Sequence, residues 1–336
     1  MRSKLASESL VSGNKEGQLE LSVVICSRNR AGLLAQAVAT LVHQSFDTRR
    51  YEILVVDDSS TDKTPELGRH LAKTHPHVRY IVSDGRGLLH ARITGQSRSR
   101  GRYIAYLDDD AQACPDWLSC ATRIIEERSP VCFGGPFFPF YMSKKPRWYR
   151  DEYGSMTHGT EARELNNDEY LCGNNIFFEA EALRASGGFD VGFCEPEARW
   201  TYGDETLPQL RLQQAYPARK FLYEPALSIS HLVRPERLNI VRAARECFAM
   251  GQAYVRLTGV QTRERRTFPF ARRFVHSYLR FWFCTLVAVW FRDRRRFTYP
   301  QNYVYEIAFQ HLRRAAVFYR TAREVHARTR RDRVTS

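Results

Sequence analysis

From residue 21 onward the chain alternates short, nearly unbroken apolar runs with stretches whose apolar positions recur every three or four residues. Residues 21–26, 53–56, 78–82 and 103–107 have the length and composition of buried strands. Between them, 31–42 carries Leu34, Val38, Leu41 and Val42 at helical spacing, 65–74 opens on a proline that a first helical turn accepts, and 87–99 reads as a third helix. The rhythm predicts β-α-β-α-β-α-β. Such alternation implies an α/β/α sandwich, a mostly parallel central sheet flanked by helices, with ligands bound beyond the carboxyl ends of the strands.

The polar motifs fall at those ends. Cys26-Ser27-Arg28-Asn29-Arg30 follows the first run, Asp57-Asp58-Ser59-Ser60 the second, and Asp108-Asp109-Asp110 the fourth. Three adjacent carboxylates at the mouth of a buried strand repel one another, and a divalent cation is the natural remedy. Mg2+ and Mn2+ take few protein carboxylates and fill their shell with water and phosphate oxygens, so the triplet points to a phosphorylated ligand. A dinucleotide site would need GxGxxG after the first strand, and that motif is absent, which argues against NAD.

Charge alters the picture at the other end. The chain of 336 residues carries a net +14, and residues 261–336 hold 18 Arg against five acidic residues, a net of +13. Within this tail, 274–291 is rich in Phe, Trp, Leu and Val, is interrupted by His276 and Arg280, and is bracketed by Arg272, Arg273, Arg294 and Arg295. At about eighteen residues it is borderline for a span, and its internal Arg favours an interfacial helix on an anionic membrane surface. The eight cysteines show no CxxC pair, which argues against zinc and a disulfide framework. The first twenty residues lack an apolar signal core and read as a disordered lead. The expected organisation is therefore a lead over 1–20, a catalytic domain over 21–259 and a helical Arg-rich extension over 260–336. Its expected location is cytoplasmic, peripheral at the inner face of the cell membrane.

The strings Leu-Ser-Val-Val-Ile-Cys-Ser-Arg-Asn-Arg, Ile-Leu-Val-Val-Asp-Asp-Ser-Ser-Thr-Asp, Ala-Arg-Ile-Thr-Gly and Gly-Arg-Tyr-Ile-Ala-Tyr-Leu-Asp-Asp-Asp, in this order and spacing, resemble family 2 glycosyltransferases of the GT-A fold. Cys172-Gly173-Asn174-Asn175, Gly187-Gly188-Phe189-Asp190 and Tyr202-Gly203-Asp204-Glu205 are similar to the second half of the same domain. The resemblance implies a nucleotide-sugar donor, a UDP-sugar by family habit, held by Ser27, Arg28, Asp58, Arg92, Asp108 and Asp109. It implies Mn2+ or Mg2+ on Asp108 and Asp110, with His231 as a further ligand, although the extra Asp109 leaves the DxD register ambiguous by one. The family's Glu-Asp pair is swapped here, so Glu205 stands at the position of the base, with Asp204 as its alternative. Attack by one activated hydroxyl implies inversion. Asn174, Trp200 and Tyr202 are implied on the acceptor side, beside the aromatic segment 136–170, and the acceptor itself is expected to be lipid-linked or a saccharide. Two rival readings remain: a sugar-nucleotide-binding protein without turnover, motivated by the swapped acids, and nucleic-acid binding through the basic tail, for which no recognised motif is present.

Overall fold

The computed structural model describes residues 19–190, 192, 203–259 and 266–335; most of the expected lead, together with Trp200 and Tyr202, lies outside them. Strands β1 (Leu21–Ser27), β2 (Tyr51–Asp57), β3 (Val78–Val82) and β4 (Tyr103–Leu107) alternate with helices α1 (Ala31–Val42), α2 (Thr64–Thr74) and α3 (Leu88–Arg98). Val23, Val24 and Ile25 are all fully buried because the sheet is covered on both faces, which explains the unbroken apolar runs. Next come β5 (Ala111–Ala113), α4 (Trp117–Arg128), β6 (Cys132–Gly134), β7 (Phe137–Phe140), β8 (Arg163–Glu164), β9 (Asn175–Glu179), α5 (Ala180–Ala185), α6 (Thr206–Ala215), β10 (Leu222–Tyr223) and β11 (Ile229–Leu232).

The eight-stranded sheet runs β3-β2-β1-β4-β9-β6-β10-β8. Its first four strands are parallel, whereas β9 enters antiparallel to both β4 and β6. A small second sheet, β5-β11-β7, stands at the carboxyl edge of β4. Asn175 joins the two sheets: buried, it accepts from Trp117 Nε1 at 3.0 Å and donates to the carbonyls of Pro136 and Leu227 at 3.0 and 2.6 Å.

Residues 235–258 do not form one continuous helix. Asn239 stays extended and its side chain accepts from the amides of Val241 and Arg242, capping α7 (Ile240–Thr258) and leaving Pro235–Leu238 as a separate 3-10 turn. The apolar tail stretch forms α8 (Phe268–Trp290), six residues longer at its start than expected; α9 (Pro300–Tyr303), a π turn over Val304–Ala308 and α10 (Phe309–Thr335) follow. Gly251 lets α7 and α10 cross closely, since a Cβ there would stand 2.6 Å from the Arg313 carbonyl oxygen. The helical layer thus draws on α7 as well as on residues beyond 260.

The aromatic segment after β7 is the joint between this layer and the sheets. Tyr153 stacks on Tyr305 with ring centroids 4.0 Å apart, Arg150 pairs with Glu306 at 2.8 Å, and Asn302 Nδ2 donates to the Trp148 carbonyl at 2.5 Å. Tyr149, Val233 and Leu238 form a small core beneath it.

Candidate active site

The register of β1 and β2 sets Ser27 against Asp57, so the residues that follow leave the sheet side by side. Asn29 and Ser59 take φ of 55° and 54°, turning the chain sharply after each strand. Asp58 is buried and accepts from Ser83 Oγ at 2.8 Å, the Gly87 amide at 2.9 Å and Arg28 Nη1 at 3.2 Å; half-exposed Arg28 also donates to the Gly85 carbonyl. Asp109, next along the rim, accepts from Ser27 Oγ and Arg30 Nη1, both at 2.8 Å. Burial pushes its carboxyl up to about 6 despite the pull of Arg30.

Its neighbours turn the other way. Antiparallel pairing of β5 with β11 sets His231 opposite Ala111, and His231 Nε2 comes 3.2 Å from Asp110 Oδ1 and 3.6 Å from Asp108 Oδ2. One donor atom from each of Asp108, Asp110 and His231 can lie within 4.8 Å of the others. Asp110 is buried; its Oδ2 accepts from Arg234, while its Oδ1 has no hydrogen bond of good geometry. Burial opposes charge on His231, but the two carboxylates prevail and raise it to about 9. Burial likewise raises Asp110, and His231 and Arg234 overcome it, holding the carboxyl well below its usual range. Two carboxylates and one imidazole, converging from the β4–β5 connection and β11, suit a hard or borderline cation such as Mg2+ or Mn2+.

Arg92, on α3, joins this cluster to the start of α6. Its Nη1 lies 2.7 Å from Asp204 and 3.8 Å from Glu205, and its Nη2 lies 3.6 Å from Asp108. The guanidinium is buried, with Asp204 as its nearest carboxylate. Gly173 makes room for this arrangement, since a Cβ would stand 2.9 Å from Glu205 Cβ and 3.0 Å from Arg92 Nη2. Glu205, a quarter exposed, precedes α6; burial and then the charge of Asp204 push it up to about 8. Gln209 is fully buried and bonds to both the amide and the carbonyl of Leu171, fixing the helix start against the segment before β9.

The sequence profile of Glycosyl transferase family 2 matches residues 22–187, which span β1 to α5 and include every strand-end motif described above. Residues 22–187 belong to this family of glycosyltransferases. It is 24% identical over 182 residues to a glucosyl-dolichyl phosphate glucuronosyltransferase of Haloferax volcanii, covering 52% of this chain and 56% of that protein. It is likewise 24% identical over 183 residues to a β-monoglucosyldiacylglycerol synthase of Nostoc sp., covering 51% and 38%. The chain spans about half, or less, of the length of these curated relatives. Among solved structures, a mannosyltransferase from Pyrobaculum calidifontis in complex with GDP-Man and Mn2+ superposes with a TM-score of 0.53 at 17% identity, over 95% of this chain and 80% of that one. S. aureus TarS 1-349 in complex with UDP-GlcNAc gives 0.52 at 15% identity, over 71% and 72%. The fold is GT-A.

Beside the family's acidic rim opens a cleft of about 420 Å³, bounded by His231 and Phe137 on the sheet side, Tyr149 and Tyr153 of the aromatic segment, and Glu246 and Arg313 of the helical layer. Asn174, just before β9, is buried with its side-chain oxygen unpartnered. Arg30 and Arg234 escaped the sequence reading, although each holds one Asp of the triplet. The available signal was their position: Arg30 is the last residue of the first strand-end motif, and Arg234 follows His231 by three.

Proposed function

We propose that this chain transfers a sugar, with inversion, from a nucleoside-diphosphate sugar to a hydroxyl of a lipid-linked or saccharide acceptor, with Mn2+ or Mg2+ at Asp108, Asp110 and His231. The observation that carries the reading is the meeting of that ligand set and Glu205 on one rim, with a single buried guanidinium, Arg92, between them. Asp58 and Arg28, at the neighbouring strand ends, suit the donor base: a carboxylate accepts an imide N–H, and a planar guanidinium can lie against the ring. A bound cation would stabilise the departing diphosphate. Asp109 holds Ser27 and Arg30 at the neighbouring strand end.

Glu205 would take the proton of the attacking hydroxyl. Its elevated pKa keeps the carboxylate basic enough to do so near neutral pH, and its partial exposure leaves it reachable from solvent. Asp204 is the weaker candidate because Arg92 already occupies it at 2.7 Å. The cleft bounded by Phe137, Tyr149 and Tyr153 would admit the acceptor, since aromatic faces suit sugar rings. The decisive experiment measures nucleoside diphosphate released from a panel of UDP- and GDP-sugars with and without EDTA. Release from none of them, with any metal, would overturn the reading.

The acceptor class draws support from the relatives whose names carry a dolichyl phosphate and a diacylglycerol, and from α8. Leu279, Trp282, Phe283, Leu286 and Trp290 lie along one exposed side of that helix, flanked by arginines. No helix among the described residues is long and apolar enough to cross a membrane. Such a helix fits shallow, in-plane insertion into an anionic leaflet.

A further inference from the structure

On the side of α7 away from the active-site cleft, α7, α8 and α10 enclose a groove of about 840 Å³. Ala244, Phe248 and Gln252 face it, whereas Ala243, Cys247 and Met250 face the cleft, so the two spaces lie on opposite sides of one helix. We propose that this groove seats an acyl chain of an anionic phospholipid, with the lipid phosphate held at the Arg256 and Arg320 end.

Size and shape admit a chain. The groove follows α7 from Ile240 to Arg256, which at the rise of an α-helix is about 24 Å, longer than the roughly 15 Å that one leaflet contributes to the bilayer core. Its walls are apolar and aromatic, with Phe248 on one side and Phe274, Phe281 and Trp282 on the other.

Charge gives the groove a direction. Phe274 meets Tyr319 with ring centroids 5.7 Å apart, which places the start of α8 beside Arg320; Phe281 meets Phe309 at 6.5 Å nearer the start of α10. Arg256 therefore shares one end with Arg320, while Ile240, Thr285 and Val304 make the other end uncharged. Arg245 lines the middle, and no acidic residue lines the groove among the described residues, although Glu324 pairs with Arg320 from α10. A ligand with an apolar body and an anionic group complements this lining better than a wholly apolar one does.

Position supplies the lipid. Trp282 belongs both to the groove wall and to the exposed side of α8, so the groove opens where the proposed membrane contact lies. The inference deepens the membrane reading of α8 and rests on it for its source of phospholipid.

The test uses the full chain and lipids below their micelle-forming concentration, so that binding to one lipid is separated from adsorption to a surface. Dioctanoyl phosphatidylglycerol is expected to bind about tenfold more tightly than dioctanoyl phosphatidylcholine by calorimetry. Ala249→Trp, which fills the groove, should abolish both, and Arg256→Gln with Arg320→Gln should erase the preference. Should Ala249→Trp fail to fold by far-UV circular dichroism, Thr285→Trp on the opposite wall gives the same reading. Equal binding of the two lipids by wild type, unchanged binding by the filled variants, or a dimer in light scattering that excludes lipid would overturn the proposal. Pelleting with phosphatidylglycerol vesicles reads the α8 contact separately: if wild type pelleted while the filled variants still bound monomeric lipid, the groove assignment would fail and the membrane reading would stand.

Discussion

Arg92 and Asp204, 112 residues apart in the chain, form an ion pair of 2.7 Å with both side chains almost wholly buried. The pair ties α3 to the start of α6, and through the 3.6 Å approach to Asp108 it also ties both to the acidic rim. Removing one member leaves the other charged and without its main partner in a site that water scarcely reaches. Arg92→Met is therefore expected to cost about 3–5 kcal/mol in urea unfolding. A loss below about 1 kcal/mol would mean that Asp204 finds another partner and that Arg92 is not the structural hub.

Glu205 is distinguished from its neighbour by availability: Asp204 is held by Arg92, while Glu205 is partly exposed and pushed up to about 8. A base works only when deprotonated, and a raised pKa moves that form to higher pH. The rate constant kcat/KM should therefore climb as pH rises towards about 8 and level off above it. Glu205→Gln should lower the rate by about 10²–10⁴-fold while nucleotide binding persists. A flat profile between pH 6 and 9, or full activity in Glu205→Gln with loss in Asp204→Asn, would transfer the role to Asp204.

Within the triplet, geometry separates three identical side chains. Asp108 and Asp110 converge on His231, whereas Asp109 turns to Ser27 and Arg30. Asp110→Asn should abolish the rise in melting temperature produced by Mn2+, and Asp109→Asn should retain most of it. Equal loss in both variants, measured by differential scanning fluorimetry, would put the cation astride the whole triplet.

The front of the fold was legible because strands covered on both faces must be apolar throughout, and helices covering a sheet must repeat with their own period. Residues 78–82 and 103–107 come out as strands with the same bounds, and α1 likewise. Less legible was what depends on pairing between distant segments. The three-residue strand β5 has no periodicity to read, yet its register with β11 is what brings His231 to Asp110. The protein partners of Arg92 were equally hidden: more than a hundred residues of chain separate it from Asp204 and Glu205, and only the fold brings those two carboxylates to it. Aromatic residues at 148, 149 and 153 fit an acceptor-facing loop in sequence, and in the fold much of their surface is spent docking the helical layer.

If α8 makes the proposed membrane contact, its exposed side and its flanking arginines would contribute separately. Arg272, Arg273, Arg294 and Arg295 would act at a distance through the field of anionic lipid, at about 1 kcal/mol each, so replacing all four with Gln should weaken binding to phosphatidylglycerol vesicles by about 10³-fold at low salt. Leu279 and Leu286 are each more than 60% exposed, and their burial in lipid does not depend on charge. Leu279→Glu with Leu286→Glu should therefore reduce binding even at high salt, where the arginine contribution is already screened. Sedimentation of both variants across a salt series distinguishes the two terms. Retention of vesicle binding by the double Glu variant would show that α8 does not enter the bilayer, and loss of RNA or DNA binding in the four-Gln variant with no change in vesicle binding would assign the basic tail to nucleic acid instead.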